Sequence, residues 1–459
     1  MPDSFQKFAI VSAYGEGLAL AHHLQMEGKE VLVGMVDDLT DIMEKKPEDP
    51  KSRKMRLSQY KGILDIITPE KLFKKLESIE DKDEWFVIFD FNSMFKYADK
   101  VLAMGFSNGL FPSLLDYKLE ADRDFAKRQV VKNYKDVKVA EVQQFKQIEE
   151  GIGFLNESDE FWALKGNDAS ASTLVPRSTK LENAKTALIM QLQEHKEDYE
   201  RKGYIFERQI REGIESCPQL VYYNGKRVAT SVDIENKAFS STDDSEMFGC
   251  ALNVIQSTPM DCPLNDIAFP EFCDKLARKH PGLFFIDFNN IQKDGEYYYL
   301  EYCSGRMGYD AVFAECDMTG SVAEYFNMLA HGESPYKRKY GVGIRGFAMK
   351  RGEDGEIQGG ITANFDDETM DHLWFFGIQQ GEGRYSNIGG SFGDGMHGID
   401  LLAFTESSDD YEYAKQKLMD VVGEFSFNGL YLRKDLDCLD ERVEAIKKFT
   451  NPQVEAGKK

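Results

Sequence analysis

Two acidic side chains, Asp287 and Glu301, stand where a strand would not ordinarily hold them. Asp287 closes the apolar run Leu283-Phe284-Phe285-Ile286. Glu301 lies inside a second strand-like run, Tyr297 to Cys303, which leads into Ser304-Gly305-Arg306. Lys293-Asp294-Gly295-Glu296 between them is a turn signal, so residues 283–310 read as a hairpin and its exit. A strand that is apolar on both faces does not bury carboxylates unless something pairs with them. A hard divalent cation such as Mg2+ does so, because it takes oxygen ligands and shares them with phosphate. The condition is geometric. Asp287 and Glu301 share a face only if the loop holds an odd number of residues or a bulge intervenes. A strict two-residue Asp294-Gly295 turn would set Phe288 opposite Glu301, and a left-handed bulge at Gly295 would restore the pairing. The competing reading is a pair of solvated surface carboxylates.

Other residues could bind anions. The strand-like run Phe161 to Lys165 ends in a lysine and is followed by the small, hydroxyl-rich segment 166–173. Such a loop beside a cation is what a phosphate cradle requires, although an ordinary turn fits the same residues. Near the start, Phe8-Ala9-Ile10-Val11, Tyr14-Gly15-Glu16-Gly17, a helical stretch Leu18 to Glu27 and Val31 to Val36 make a βαβ unit. Gly15 and Gly17 could turn backbone N–H groups toward an anion. A third glycine of a dinucleotide fingerprint would fall at Leu20, so tight-turn glycines are the better reading. Arg123 and Lys127 are four apart on a helical stretch, hence on one face. No histidines have metal spacing, and His22-His23 reads as a structural pair on a helix face.

The chain that must position these groups has 459 residues, 42% of them hydrophobic and 12% aromatic, enough for two to four cores. Asp and Glu outnumber Lys and Arg by 79 to 56, a net charge of −23, which disfavours a nucleic-acid partner. Seven cysteines without a C-x-x-C pair read as free thiols in a reducing compartment. No apolar run suits a membrane span, and the N-terminus lacks a signal-peptide pattern, so no membrane partner and a cytoplasmic location are expected. Residues 37–60, with Pro47 and Pro50, read as an exposed loop. Strands are expected at 85–90, 110–112, 204–207, 219–223, 342–349 and 401–405. Helices are expected at 94–104, 119–133, 180–201, 270–280 and 410–422. Residues 377–398, dense in glycine around Arg384 and His397, read as a solvent loop.

In this order the elements resemble the ATP-grasp ligases, and more narrowly the phosphoribosylamine–glycine ligases of purine synthesis, over nearly the whole chain. Asp122-Arg123-Asp124-Phe125-Ala126-Lys127 is similar to the family's S-K-x-F-x-K, and Leu164-Lys165-Gly166 to its V-K-A-D-G. Phe206 to Ile210, with Glu215, is similar to I-E-E-F-L-x-G-E-E; Leu300 to Cys303 and Arg306-Met307-Gly308 to E-F-N and R-F-G; Tyr431 to Leu436 to R-K-D-I. The resemblance implies α/β and α+β domains in series. These are an open α/β domain over 1–117, a two-lobed ATP-grasp domain over 118–335 with a lid at about 160–215, and a mixed α+β domain over 336–459.

It also implies roles. Arg123 and Lys165 would neutralise the phosphates of ATP. Glu207, Gln209 and Ile210 would form the hinge beside adenine, and Glu215 would hold the ribose. Asp287 and Glu301 would carry Mg2+ (or Mn2+), and Arg306 would face an acyl phosphate. An amino acid and an amine, in the family glycine and phosphoribosylamine, would be the small-molecule partners of a monomer or homodimer. Departures fall mostly on the acceptor side. The family's metal-binding asparagine falls at Cys303 or Ser304. A thiol is a poor Mg2+ ligand, so either Asn289 is expected to substitute or one metal is expected to be lost. The arginine of G-R-E-H-A is missing from Gly17 to Ala21, and G-P-E-x-P-L has become Asp90-Phe91-Asn92-Ser93-Met94. The expected activity is ATP-dependent amide formation with an altered acid or amine. The alternatives are a nucleotide-binding homologue without turnover and a dinucleotide-dependent oxidoreductase using the Gly15 turn.

Overall fold

The computed structural model describes residues 2, 4–42, 48–166, 173–238, 247–349, 359–360, 362–363, 367–389, 398–425 and 429–450. The chain begins with β1 (Lys7–Ser12), α1 (Leu18–Met26), β2 (Glu30–Met35), α2 (Pro50–Arg56), β3 (Ile66–Ile67), α3 (Pro69–Glu77), β4 (Trp85–Phe89), α4 (Phe95–Ala103) and β5 (Gly109–Leu110). The strands pair in parallel in the order β3-β2-β1-β4-β5. β1 and β4 are buried on both faces, as their unbroken apolar runs require. Two helices follow, α5 (Leu114–Ala121) and α6 (Arg123–Asn133).

A small four-stranded sheet comes next. It holds β7 (Val142–Phe145), β8 (Trp162–Gly166), β9 (Thr173–Leu174) and β10 (Tyr204–Arg208), with helices α7 (Ile148–Glu157), α8 (Leu181–Glu194) and α9 (Lys196–Lys202). Ile148, Leu155, Trp162, Leu188, Tyr204 and Phe206 close a core of its own. The strip β6 (Val137–Val139) precedes it and joins the large sheet.

Long antiparallel strands build the centre: β11 (Ile214–Tyr223), β12 (Lys226–Ala238), β13 (Met247–Ser257), β14 (Leu283–Lys293) and β15 (Glu296–Ser304). Helices α10 (Pro263–Ala268), α11 (Glu271–Ala277), α12 (Tyr309–Thr319) and α13 (Val322–Ala330) flank them. β16 (Tyr340–Met349), β18 (Leu373–Phe375), β21 (Gly398–Ser408) and β22 (Leu430–Leu432) extend the same sheet, with β17 (Thr362–Ala363) and α14 (Asp367–Asp371) between β16 and β18 in the chain, and α15 (Tyr411–Glu424) packs on it. One sheet thus runs from β3 to β18, the parallel part joining the antiparallel part where Leu110 pairs with Leu283. Among the described residues no helix is long and apolar enough to cross a membrane, and all seven cysteines are free.

Four expectations need correction. Residues 48–60, within the expected exposed loop 37–60, are not a loop but carry a helix and buried side chains. Asp49 caps α2, Pro50 sits in its first turn with φ already set for a helix, and Met55, Arg56 and Tyr60 are buried. The stretch 119–133 is two helices, because Asp122 leaves helical geometry and accepts the N–H of Phe125 as a cap. The stretch 180–201 likewise breaks at His195. Part of the glycine-rich stretch 377–398 is a hairpin, β19 (Ile378–Gly381) with β20 (Arg384–Asn387), and His397 lies outside the described residues.

Candidate active site

The β14–β15 hairpin meets the geometric condition, by a different device from the one expected. Asp294 and Gly295 both take positive φ, 53° and 79°, and form a strict two-residue turn that pairs Lys293 with Glu296. The bulge lies farther on: Asn290 pairs with Tyr299 and Asn289 with Glu301, so Leu300 is the extra residue. From there Asp287 faces Cys303. Asp287, Asn289, Glu301 and Cys303 therefore share one face.

That face continues across the sheet. Gln219 pairs with Asp287 on one side and Ser231 on the other, and Cys217 pairs with Asp233. Residues two apart alternate back to the same side, which adds Glu215, Glu235 and Lys237. Lys237 lies 3.0 Å from Glu235 and 3.5 Å from Glu215. Glu235 above all, with Glu215 and Glu301, raises its ammonium well above the usual lysine range against the pull of burial. Helix α12 lays Glu315 over the middle of this face. The carboxylate is fully buried and accepts from Gln219, Ser231, Tyr325 and Tyr336 at 2.6 to 3.0 Å.

The two hairpin carboxylates have opposite electrostatics. Burial pushes Asp287 well above the usual carboxylate range, against Arg306 and with help from Glu315, Glu120 and Glu235. Burial also works to raise Glu301, but Lys237, Arg123, Lys165 and Arg306 outweigh it and hold the group below the usual range. Asp287 and Asn289 are each 4% exposed, and each has an Oδ1 without a hydrogen-bond partner. Orphaned buried oxygens are costly, and a cation satisfies several at once. The residues present therefore fit a hard divalent ion, with Asp287, Asn289 and Glu301 as its oxygen donors. Among the described residues no group of three His, Cys, Asp or Glu side chains gathers as a complete cage. Mg2+ does not require one, because it keeps waters and phosphate oxygens.

The cations sit above this floor. Lys165 at the end of β8 and Lys127 on α6 both donate to the buried carboxylate of Glu207 on β10. Burial alone would raise Glu207, but the two lysines keep it below the usual range. Its carboxylate is therefore taken by lysines, and its backbone lies between β7 and β8, in register with Val142 and Ala163. Arg123, Lys127, Glu207 and Glu301 line one cleft with Tyr299. Gln209 is a tie: its amide donates to the carbonyls of Trp162 and Pro176, and its N–H to Phe161. Ile210 follows at the exit of the small sheet. Arg306 makes a two-pronged pair with Glu120 at 2.7 and 3.0 Å and donates to Cys303 Sγ at 3.3 Å. Segment 167–172 of the expected phosphate cradle lies outside the described residues.

Of the expected residues, Arg123 and Glu301 line this cleft and Lys165 reaches its wall through Glu207. Asp287 and Asn289 share the Glu301 face, which meets Glu215 through Lys237 and Arg306 through Cys303. Sequence reasoning missed Lys237, Glu235 and Glu120. The alternation Glu235-Asn236-Lys237 after the Asn224-Gly225 turn was the available signal for the first two. Nothing in the sequence marks Glu120.

The antiparallel sheet with its carboxylate hairpin, under a small four-stranded lobe carrying a lysine, is the ATP-grasp fold. No protein-family model matches the chain, and no curated protein matches it in sequence. Solved structures do. Phosphoribosylamine–glycine ligase from Thermotoga maritima superposes with a TM-score of 0.62 at 16% identity, over 94% of this chain and 99% of that one. The biotin carboxylase domain of 2-oxoglutarate carboxylase from Hydrogenobacter thermophilus, solved with MgADP, gives 0.52 at 11%, over 99% and 98%. L-amino acid ligase from Bacillus licheniformis gives 0.51 at 12%, over 93% and 98%.

Proposed function

We propose that the chain is an ATP-dependent carboxylate–amine ligase that forms an amide through an acyl phosphate. A carboxylate is a poor electrophile, and phosphoryl transfer from ATP converts it into a good one. The protein's task is then charge neutralisation and in-line positioning. Arg123 and Lys165 would draw the triphosphate into the cleft, with Lys165 exchanging Glu207 for phosphate oxygens. Asp287, Asn289 and Glu301 would hold Mg2+, which would supply positive charge to offset that of the phosphates. Lys237, already between Glu215 and Glu235, would add a second cation from the sheet. Arg306, on the far side of the hairpin exit, would face the acyl phosphate. The small lobe would close as a lid and exclude water, since acyl phosphates hydrolyse. Domains of 1–117, 118–335 and 336–459 would then supply acceptor, nucleotide and covering surfaces.

The observation that carries this reading is the shared face of Asp287, Asn289 and Glu301, with two unpartnered buried oxygens beneath a set of cations. The similarity to the Thermotoga maritima ligase makes an amino acid and an amine the substrates to try first. A phosphate-release screen pairing amino acids with amines, with and without Mg2+, tests it. Turnover should require ATP, Mg2+ and both substrates, and Lys165→Ala should abolish it and the Mg-ATP thermal shift. A second reading, a nucleotide-binding protein without turnover, is favoured by Cys303 on the metal face and by two lysines paired to Glu207. Mg-ATP binding with no turnover across a wide panel would select it. A thermal shift with NAD and none with ATP would sink both.

A further inference from the structure

Helix α12 turns one stripe toward the central sheet. Ala311, Ala314 and Met318 in that stripe pack with Ile255, and helical spacing places Glu315 among them. The carboxylate of Glu315 is fully buried. Its Oε1 accepts from the amide of Gln219 at 3.0 Å and from the hydroxyls of Ser231 at 2.7 Å and Tyr336 at 2.8 Å. Its Oε2 accepts from the hydroxyl of Tyr325 at 2.6 Å. All four donors are neutral groups. Burial raises this carboxyl above the usual range, against the four hydrogen bonds. An apolar side chain at this position would serve the packing at less cost, so packing does not account for a glutamate here.

The positions of those donors do account for it. Gln219 stands directly opposite Asp287, and Ser231 directly opposite Gln219, so the three form one row on one face of the sheet. Side chains directly opposite each other have Cβ atoms about 5 Å apart, within the reach of a glutamine amide. The Gln219 amide is nevertheless turned onto Glu315, and Asp287 Oδ1 is left buried without a hydrogen-bond partner. Tyr336, whose hydroxyl senses the charge of Asp287, also donates to Glu315. The charge of Glu315 in turn reaches Asp287. A buried carboxylate that collects the neighbouring donors leaves Asp287 bare and adds negative potential behind it. Both effects favour a bound cation, and neither stabilises the empty protein.

We infer that Glu315 is a positioning residue for the cation site: it draws the Gln219 amide away from Asp287 and so keeps the Asp287 oxygen open for a divalent ion. This rests on the ligase reading above and adds to it a residue that sets metal affinity without touching the metal. The test is titration of the full chain with Mn2+, with and without ATP, followed by the electron paramagnetic resonance of free Mn2+. Glu315→Gln, which keeps the shape and removes the charge, should weaken Mn2+ binding by about tenfold or more. Adding Gln219→Met, which removes the competing amide, should recover about threefold of that loss. Glu315→Asp, which keeps the charge and shortens its reach, should lose severalfold and serves if Glu315→Gln does not fold. Unchanged Mn2+ binding in a folded Glu315 variant overturns the inference, and so does a loss that Gln219→Met leaves in place. A wild type that binds no Mn2+ even with ATP removes the cation site and both readings with it, whereas equal binding by the wild type and its variants strikes this inference alone.

Discussion

Asp287 shows how a single side chain can cost stability and be kept. It is buried on the sheet face with one oxygen unpartnered, and burial drives it toward the neutral acid. Without its cation it is a strained group. Asp287→Asn should therefore raise the melting temperature of the nucleotide-free protein, by the equivalent of about 1–3 kcal/mol, while abolishing the extra stabilisation that Mg2+ adds to ATP. Differential scanning calorimetry with and without Mg-ATP reads both. A variant that loses stability and keeps its Mg2+ response would remove Asp287 from the site. Glu207 is the opposite case. It joins Lys127 and Lys165, so Glu207→Gln strands two largely buried ammonium groups. A loss of about 3 kcal/mol is expected in urea unfolding. A change within experimental error would mean that the lysines find other partners.

At the scale of the element, the site depends on where one extra residue is absorbed. Tight-turn pairing alone would put Glu301 opposite Phe288, and bulging out Leu300 sets it opposite Asn289. Deleting Leu300 removes the bulge and lets the regular register of the Asp294-Gly295 turn bring Glu301 opposite Asn289. The expected result is a retained Mg-dependent thermal shift, with circular dichroism showing the sheet unchanged. Loss of the Mg-ATP response in a deletion variant that folds would show that register alone does not set the site. Gly295, at φ 79°, serves the turn itself, and Gly295→Ala should cost about 1 kcal/mol.

In the whole molecule, the first and last thirds of the chain meet directly. His22 stacks on Phe375, and His23 stacks on Trp374 and bonds the carbonyl of Leu373. Tyr60 donates to Phe375 and Ile378 carbonyls. Burial lowers His22 to about 4 and, with the charge of His22 acting in the same direction, lowers His23 to about 3. Unfolded histidines titrate near 6.5, so the unfolded chain binds more protons below that pH. Stability is complete above about pH 6.5 and is lost as pH falls through 6 toward 4, each histidine costing on the order of 2 kcal/mol at pH 5. His22→Phe should melt with a smaller gap between pH 7.5 and pH 5 than the wild type, and an equal gap would refute the assignment.

The sequence by itself determined the local elements, because their signals are local. Unbroken apolar runs gave β1, β4 and β14, helical spacing gave α1 and α15, and Asp294-Gly295 gave the hairpin turn. The helix breaks at Asp122 and His195 were not legible, since one residue leaving helical geometry does not disturb the apolar periodicity on either side. Arg123, Lys165, Glu215, Glu301 and Arg306 stood out as candidates because each lies in a short local motif. Tertiary structure alone decided which partners meet. Gln219 on Glu315, Glu120 on Arg306, and Lys237 between Glu215 and Glu235 each join segments far apart in the chain or on neighbouring strands. Register and burial, which fix such meetings, depend on the whole sheet being assembled, and no window of sequence contains it.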